Sequence, residues 1–367
     1  MAKIGFSSDL GITKDQIIGF YQENWGKEII LSNNKFYDWQ FICPPKNNNL
    51  DSCVVAIDNS SNIMGVMGLN KRDFFLDGQK FNGAELTSWV VSKDSINSGY
   101  GAKILIFIQK EFEILIGMGI TNQAIPIYLK RGFRFFSQIS RFVKIIKDEN
   151  IKQYFHSNEI SDKITKKWKF KQENRNYIVK NFSKERLEDL IFDSRFKFNL
   201  FSRGIDDVNW RFENHPYFNY KKCFIYSNEL ENSPGAFVVL REENSNKEIR
   251  ILHVLDMLGI DESLNSGIRF IEDYAYENNF DLVDFYSTSS YVNSFFYENK
   301  WFSINDDRYF QFPHLFQPIE LRDPPTTSLV VWSKINLREL LDFSKLYITK
   351  QDCDLDRPTI NFLKGIN

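Results

Sequence analysis

"SINSGYGAKIL" occupies Ser95–Leu105. Two glycines flank a tyrosine, a small residue follows, and an apolar stretch begins. A strand-like run ends just upstream, near Ser92. The local order is therefore strand, polar loop, glycine-bearing turn, helix. Backbone N–H groups at a helix start lack intrahelical partners, and the helix dipole adds partial positive charge there. Glycines let the backbone come close to a bulky anion. The stretch is either an ordinary turn into a helix or a cradle for a phosphate.

The 367 residues suit two domains better than one. A hydrophobic fraction of 43% and a charged fraction of 26% are those of soluble globular protein. Thirty-five Phe and 16 Tyr supply ample core material. A formal net charge of -2 gives nucleic acid no bulk electrostatic support as a partner. Cys43, Cys53, Cys223 and Cys353 are scattered without a CxxC pair or a His at ligand spacing, so no metal is expected. Such cysteines suit a reducing compartment. The N-terminus has no basic-then-apolar signal pattern, and no apolar run approaches the roughly 20 residues of a membrane helix. The expectation is a cytoplasmic protein with no membrane partner. Oligomeric state stays open.

The chain repeats itself at long period. "FYDWQFICPP" (Phe36–Pro45) has an echo in "DDVNWRFENHP" (Asp206–Pro216). "SCVVAID" (Ser52–Asp58) pairs with "KCFIYSN" (Lys222–Asn228), and "IYLKRGF" (Ile127–Phe133) with "FYENKWF" (Phe296–Phe302). Trp39 and Trp210 are 171 positions apart, Cys53 and Cys223 170, Tyr128 and Tyr297 169. A repeat kept in register argues for two copies of one domain.

Each half also follows one coarse order. A helix comes first ("TKDQIIGFYQENW"; "SKERLEDLIFD"), then antiparallel-type strands, then a longer strand ("GAELTSWVVS"; "EIRILHVLDML"). Apolar residues at helical period follow: Ile104, Leu105, Ile108, Phe112 and Leu115, and in the second half Leu264, Ile268, Ile271 and Ala275. A further strand ("MGITN"; "FDLVDFYST") and a short aromatic helix close each copy. The fold class is α/β with a mixed α+β sheet in each copy. The expected division is a first domain over 1–147, a linker over 148–176, a second domain over 177–345 and a tail over 346–367. "SLVVWSK" (Ser328–Lys334) reads as a core strand of the second domain or an edge used for assembly.

On these marks the chain resembles the GCN5-related N-acetyltransferase (GNAT) superfamily. That family has an R/Q-x-x-G-x-G/A loop after its fourth strand; here the loop is Ile96-Asn97-Ser98-Gly99-Tyr100-Gly101, without the leading basic residue or Gln. The family's second mark, Asn then Ala then Tyr-x-x-x-Gly-Phe, is met by Asn122, Ala124, Tyr128, Gly132 and Phe133. The resemblance implies two tandem GNAT-like domains and an acyl-CoA cosubstrate. Ser98, Gly99, Tyr100, Gly101 and Ala102 would cradle its pyrophosphate. Val90 and Val91 would bond the pantetheine arm through their backbone, and Asn122 would hold it from the next strand. Tyr128 would donate to the departing thiolate, unless it is only a packed aromatic before a turn.

The second half lacks the G-x-G and carries Asp261 and Glu262 where a pyrophosphate would sit. One acyl-CoA site, in the first half, is therefore expected, with a degenerate second domain shaping the acceptor pocket. The paired halves, "WRFENHP" and the tail "DCDLDRP" resemble bacterial sugar N-acyltransferases. They imply transfer of an acetyl or 3-hydroxybutyryl group from its CoA thioester to a nucleotide-linked amino-dideoxy sugar of the dTDP-3-amino-3,6-dideoxyhexose type, for surface polysaccharide. Alternatives are a tandem-GNAT aminoacyl transferase and a non-catalytic CoA-binding scaffold.

Glu85 is the first candidate for the base that takes the amine's proton, or else an exposed strand-end charge. By strand alternation it shares a face with Thr87 and Trp89, and Trp89 joins His253 and Asp256 as candidate acceptor contacts. His253 and Asp256 are three apart, so an ideal strand sends them to opposite faces. His215 reads as a capping or packing residue, and His156 and His314 as surface. Asp352, Asp354 and Asp356 read as a solvated turn or cap, with Arg357 a candidate phosphate contact.

Overall fold

The protein is described from a computed structural model that covers residues 3–26, 28–152, 158–172, 176–227, 235–245, 249–303, 327–335 and 337–365. The strands are β1 (Lys3–Phe6), β2 (Val54–Ile57), β3 (Ile63–Leu76), β4 (Gln79–Val91), β5 (Ile114–Met118), β6 (Arg134–Phe136), β7 (Ser140–Ile145), β8 (Tyr177–Asn181), β9 (Leu200–Phe201), β10 (Lys221–Ser227), β11 (Ala236–Ser245), β12 (Ile249–Leu258), β13 (Leu282–Ser287), β14 (Phe302–Ser303) and β15 (Leu329–Ser333). The helices that matter for the site are α1 (Lys14–Asn24), α2 (Asn34–Phe41), α3 (Tyr100–Glu111), α4 (Ile125–Lys130), α5 (Asn158–Trp168), α6 (Lys184–Lys197), α7 (Ile205–Val208), α8 (Glu262–Glu277) and α9 (Ser290–Glu298).

Two mixed sheets form. The first runs β1-β2-β3-β4-β5-β15-β6, with β9 on β3; the second runs β14-β7-β13-β12-β11-β10-β8. In each sheet a long antiparallel hairpin (β3–β4, β11–β12) leads through a helix (α3, α8) to a parallel neighbour (β5, β13). These crossovers give each sheet one parallel pair among the described residues, as a strand–helix–strand connection requires.

The sheets trade strands. β7 follows β6 in the chain yet pairs with β13 and β14 of the second sheet. β15 follows β14 yet lies between β5 and β6 of the first. "SLVVWSK" is therefore neither a strand of the second sheet nor a free edge; it is an interior strand of the first. Val330 and Val331, both fully buried, fit a strand covered on two faces.

The helix after the glycine loop ends at Glu111, and Leu115 belongs to β5, so the strand lies upstream of the expected "MGITN". Phe112 adopts extended backbone at the C-cap, which breaks a continuous apolar run that periodicity alone cannot divide. α5 lies within the lysine-rich stretch after β7.

Candidate active site

α3 opens on Gly99, which caps it at φ 82° in the left-handed region. A Cβ there would be strained although it would meet nothing within 4 Å. The first intrahelical bond runs from Lys103 N–H to Gly99 C=O at 3.1 Å, so the amides of Tyr100 and Gly101 precede it. Gly101 is required for a different reason. A Cβ on it would lie 2.7 Å from Cζ2 of Trp89. The glycine brings the start of the helix down against β4.

β4 is bulged just before this contact. Met67 faces Trp89 and Gly68 faces Thr87, which leaves Ser88 without a partner on β3. Ser88 has φ 39°, rare for a residue with a side chain. The Tyr21 hydroxyl donates to its carbonyl at 2.8 Å. The bulge separates the strands. β4 pairs with β5 only over Gly83–Leu86 against Ile114–Gly117. Beyond that point Val90 and Val91 still pair with Val66 and Gly65 of β3, but their other edge has no strand partner among the described residues. Asn122 lies in the exposed turn that follows the diverging end of β5.

The bulge also inverts the side-chain alternation. Trp89 packs with Ala84 and Leu86 against Ile104, Leu105 and Ile108 of α3, whereas Glu85 and Thr87 point to the other face. Glu85, Thr87 and Trp89 therefore do not share a face as strict alternation predicts. Trp89 meets Tyr128 edge-on at 5.2 Å between ring centres. Tyr128 is only 3% exposed, and burial followed by the nearby charge of Asp354 pushes its phenol above the usual range. Its hydroxyl has no hydrogen-bond partner among the described residues.

Glu85 is not an exposed strand-end charge: it is 2% exposed. Asn70 Nδ2 donates to its Oε2 at 3.0 Å, while its Oε1 is buried without a partner. Burial, opposed by the Asn70 bond, pushes its carboxyl up to about 7. Such a group exchanges a proton near neutrality.

The second sheet has the same divergence but fills it. β12 carries its own bulge at Leu255 and pairs with β13 only over Ile251–His253. The C-terminal segment enters the gap: Thr349 bridges Ser287, Thr288 N–H donates to Ile348 C=O at 3.1 Å, and the Tyr347 hydroxyl donates to Met257 C=O at 2.7 Å. The helix that follows begins at Asp261–Glu262 without a glycine turn. The last aromatic helix differs too. Trp301 N–H bonds Phe296 C=O as Phe133 N–H bonds Tyr128 C=O. Phe296, not Tyr297, is thus the counterpart of Tyr128, and the second half has no hydroxyl there. Lys300, at φ 56°, takes the turn that Gly132 makes in the first half.

His253 and Asp256 are buried in this filled gap. The bulge at Leu255 brings both to one face, against the expectation for an ideal strand. His253 Nδ1 meets Asp284 at 2.5 Å and Lys350 at 3.1 Å. Asp256 accepts from Arg203 at 3.1 Å and from Thr349 at 3.0 Å, and the Tyr347 hydroxyl oxygen lies 3.0 Å from it. Asp352 and Asp356 are buried rather than solvated. Asp352 binds Arg72 at 2.9 Å and Arg203 at 2.6 Å, and Asp356 binds Arg241 at 2.8 Å. Arg357 pairs with Asp354 at 3.1 Å. His215 packs as expected, its Nδ1 accepting from Phe218 N–H at 2.9 Å. His156 and His314 lie outside the described residues.

Gly101, Trp89 and Tyr128 are therefore gathered on one side of β4, at the open divergence, and Glu85 on the other. Ser88, Tyr21 and Asp354 were not singled out for this site by the sequence. A positive-φ serine in a bulge has no sequence signature; the alternating tail aspartates were visible but not their destination.

No protein-family model matches the sequence, and no curated protein sequence matches it. Solved structures match its fold. A GCN5-related N-acetyltransferase from Anabaena variabilis aligns with a TM-score of 0.54 at 12% identity, over 93% of this chain and 74% of that one. N-myristoyltransferase from Saccharomyces cerevisiae with bound myristoyl-CoA gives 0.51 at 9% identity, over 90% and 82%. A GCN5-related N-acetyltransferase from Kribbella flavida gives 0.50 at 11%, over 91% and 72%.

Proposed function

From the fold of the GCN5-related N-acetyltransferases, which this chain shares, we propose that it is an acyl-CoA-dependent N-acyltransferase with one acyl site, in the divergence of β4 and β5. The observation that carries this reading is the contrast between the sheets. The first divergence is open and ends at a glycine-started helix; the second is filled by the chain's own tail. An extended pantetheine arm bonds to a free strand edge as an added strand does. Ser98–Ala102 receive the pyrophosphate at the start of α3.

Glu85 takes the proton that the attacking amine loses. The new N–C bond forms at the thioester carbonyl while the C–S bond breaks. Free backbone amides at the end of β4 stabilise the oxygen that gains charge. Tyr128, kept neutral by burial, gives its proton to the leaving sulfur. In its finer form the acceptor is the amino group of a nucleotide-linked amino-dideoxy sugar, and the acyl group is acetyl or 3-hydroxybutyryl. The likeness of "WRFENHP" and "DCDLDRP" to sugar N-acyltransferases supports this choice.

Calorimetric titration with acetyl-CoA and 3-hydroxybutyryl-CoA tests the core of the reading. One site per chain, lost in Gly101→Glu, is the expected result, and no heat with either thioester would sink it. Thiol release in the presence of dTDP-3-amino-3,6-dideoxyglucose tests the acceptor.

A further inference from the structure

The C-terminal segment leaves the filled gap of the second sheet at Lys350 and crosses to the first. There Asp354 reaches the bulge of β4. Its Oδ2 accepts from Ser88 Oγ at 3.1 Å and from Arg357 Nη1 at 3.1 Å. Its Oδ1 has no partner among the described residues, and the side chain is 12% exposed. The carboxylate is thus held by one oxygen and offers the other. It sits on the bulge at Ser88, two residues beyond Leu86, where the pairing of β4 with β5 ends. Its charge also reaches Glu85 and Tyr128 from the tail side, a lesser influence than burial in both cases.

We propose that Asp354 is the acceptor-binding residue of this site: its free oxygen holds the ammonium group of the incoming acceptor against the bulge at Ser88. The inference rests on the acyl-transfer reading above. It assigns the two carboxylates different work. Asp354, in reach of solvent, selects a cationic nitrogen over a neutral oxygen. Glu85, buried, removes the proton once the nitrogen is in place. Arg357 and Ser88 fix the Asp354 carboxylate, so its free oxygen points without a further ordering cost. The acceptor is then a primary amine that arrives protonated. An alcohol of the same shape offers Asp354 a neutral hydrogen bond without the charge pairing and binds less well.

The test compares wild type with Asp354→Asn and Asp354→Glu. Asparagine keeps an acceptor oxygen for Ser88, so its fold is expected to survive; glutamate keeps the charge. Each protein is titrated with acetyl-CoA. Each is then titrated with dTDP-3-amino-3,6-dideoxyglucose and with dTDP-6-deoxyglucose, which carries hydroxyl in place of the amine. A propylamine and propanol pair repeats the comparison without the nucleotide. The expected result is at least a tenfold preference for amine in the wild type, reduced to within twofold in Asp354→Asn and largely regained in Asp354→Glu. Acetyl-CoA affinity stays within twofold in all three. An unchanged preference in Asp354→Asn overturns the proposal, as does a wild type with no preference in either pair. Equal loss of acetyl-CoA affinity overturns it too, because Asp354 would then only hold β4 in shape. Wild type that binds no acetyl-CoA removes the underlying acyl-transfer reading as well.

Discussion

Trp39 and Trp210 hold each other. The indole N–H of Trp39 donates to the Trp210 carbonyl at 2.8 Å, and that of Trp210 donates to the Trp39 carbonyl at 2.7 Å. Their rings stack at 5.7 Å and 26°. They come from the two copies of the repeated motif, so the repeat closes on itself at this pair. Arg211, the next residue, lies over the Trp39 ring and donates to Cys353 C=O at 3.0 Å, which ties the tail to the same point.

Trp39→Ala is expected to cost about 3–5 kcal/mol, the range for deleting a large buried aromatic. Trp39→Phe keeps most of the packing but leaves the Trp210 carbonyl without its donor, at about 1–3 kcal/mol. Urea unfolding of the three proteins measures both. A Trp39→Phe midpoint equal to wild type would show that the reciprocal bonds contribute nothing net.

Gly101→Ala places a methyl carbon against the ring of Trp89, which cannot step aside without disturbing Tyr128. Overpacking of this kind costs about 1–3 kcal/mol. Acyl-CoA affinity is expected to fall in the same variant, because the helix start lifts from β4. Pairing it with Trp89→Leu should restore part of the stability. A thermal melt and a calorimetric titration of each protein decide the matter.

Glu85 sets a pH dependence. Burial raises its carboxyl to about 7, so the folded state favours the protonated form. That stabilisation is complete below the usual glutamate range and is lost as pH rises through about 7. Glu85→Gln is therefore expected to be more stable than wild type at about pH 8, by up to roughly 3 kcal/mol, and equal to it in acid. As a base Glu85 must be deprotonated, so the transfer rate should rise with pH up to about 7 and level off. Glu85→Gln should be slow and lack that rise. A wild-type profile flat across this window would remove Glu85 from the mechanism.

Tyr128→Phe removes a hydroxyl that has no structural partner, so stability should change little. Thiol release is expected to slow roughly 100-fold, within the range for a general acid, with acyl-CoA affinity unchanged. Normal turnover in this variant would return Tyr128 to a packing role.

Asp352→Ala removes the carboxylate that Arg72 and Arg203 share, both 1% exposed or less, and leaves Arg203 only Asp256 as an ionic partner among the described residues. Breaking a buried ion pair from one side costs about 3–5 kcal/mol. The loss should appear as cooperative unfolding at lower denaturant, because the tail joins both sheets. A variant as stable as wild type would mean that the tail is a passenger.

Much of this protein is legible in its order of residues. The glycine turn at Gly99–Gly101 requires a helix start against a strand, because only glycine tolerates both the left-handed cap and the approach of Trp89. The repeated tryptophan motif was visible at its long spacing, as were the helical faces of α3 and α8. These are local or periodic signals, and the backbone answers them locally. What tertiary structure decided was everything that depends on a break in period or on distant pairing. The bulges at Ser88 and Leu255 shift side chains between faces, and nothing in a run of residues marks where a strand will skip one. The exchange of β7 and β15 depends on which sheet offers a free edge, a property of two sheets together. The burial of Asp352 and Asp356 depends on arginines more than 100 residues away, and the seat of Asp354 on a bulge in another sheet. A polar tail reads as solvated until its partners are brought to it, and that is why the chain's own occupation of its second cleft could be seen only in three dimensions.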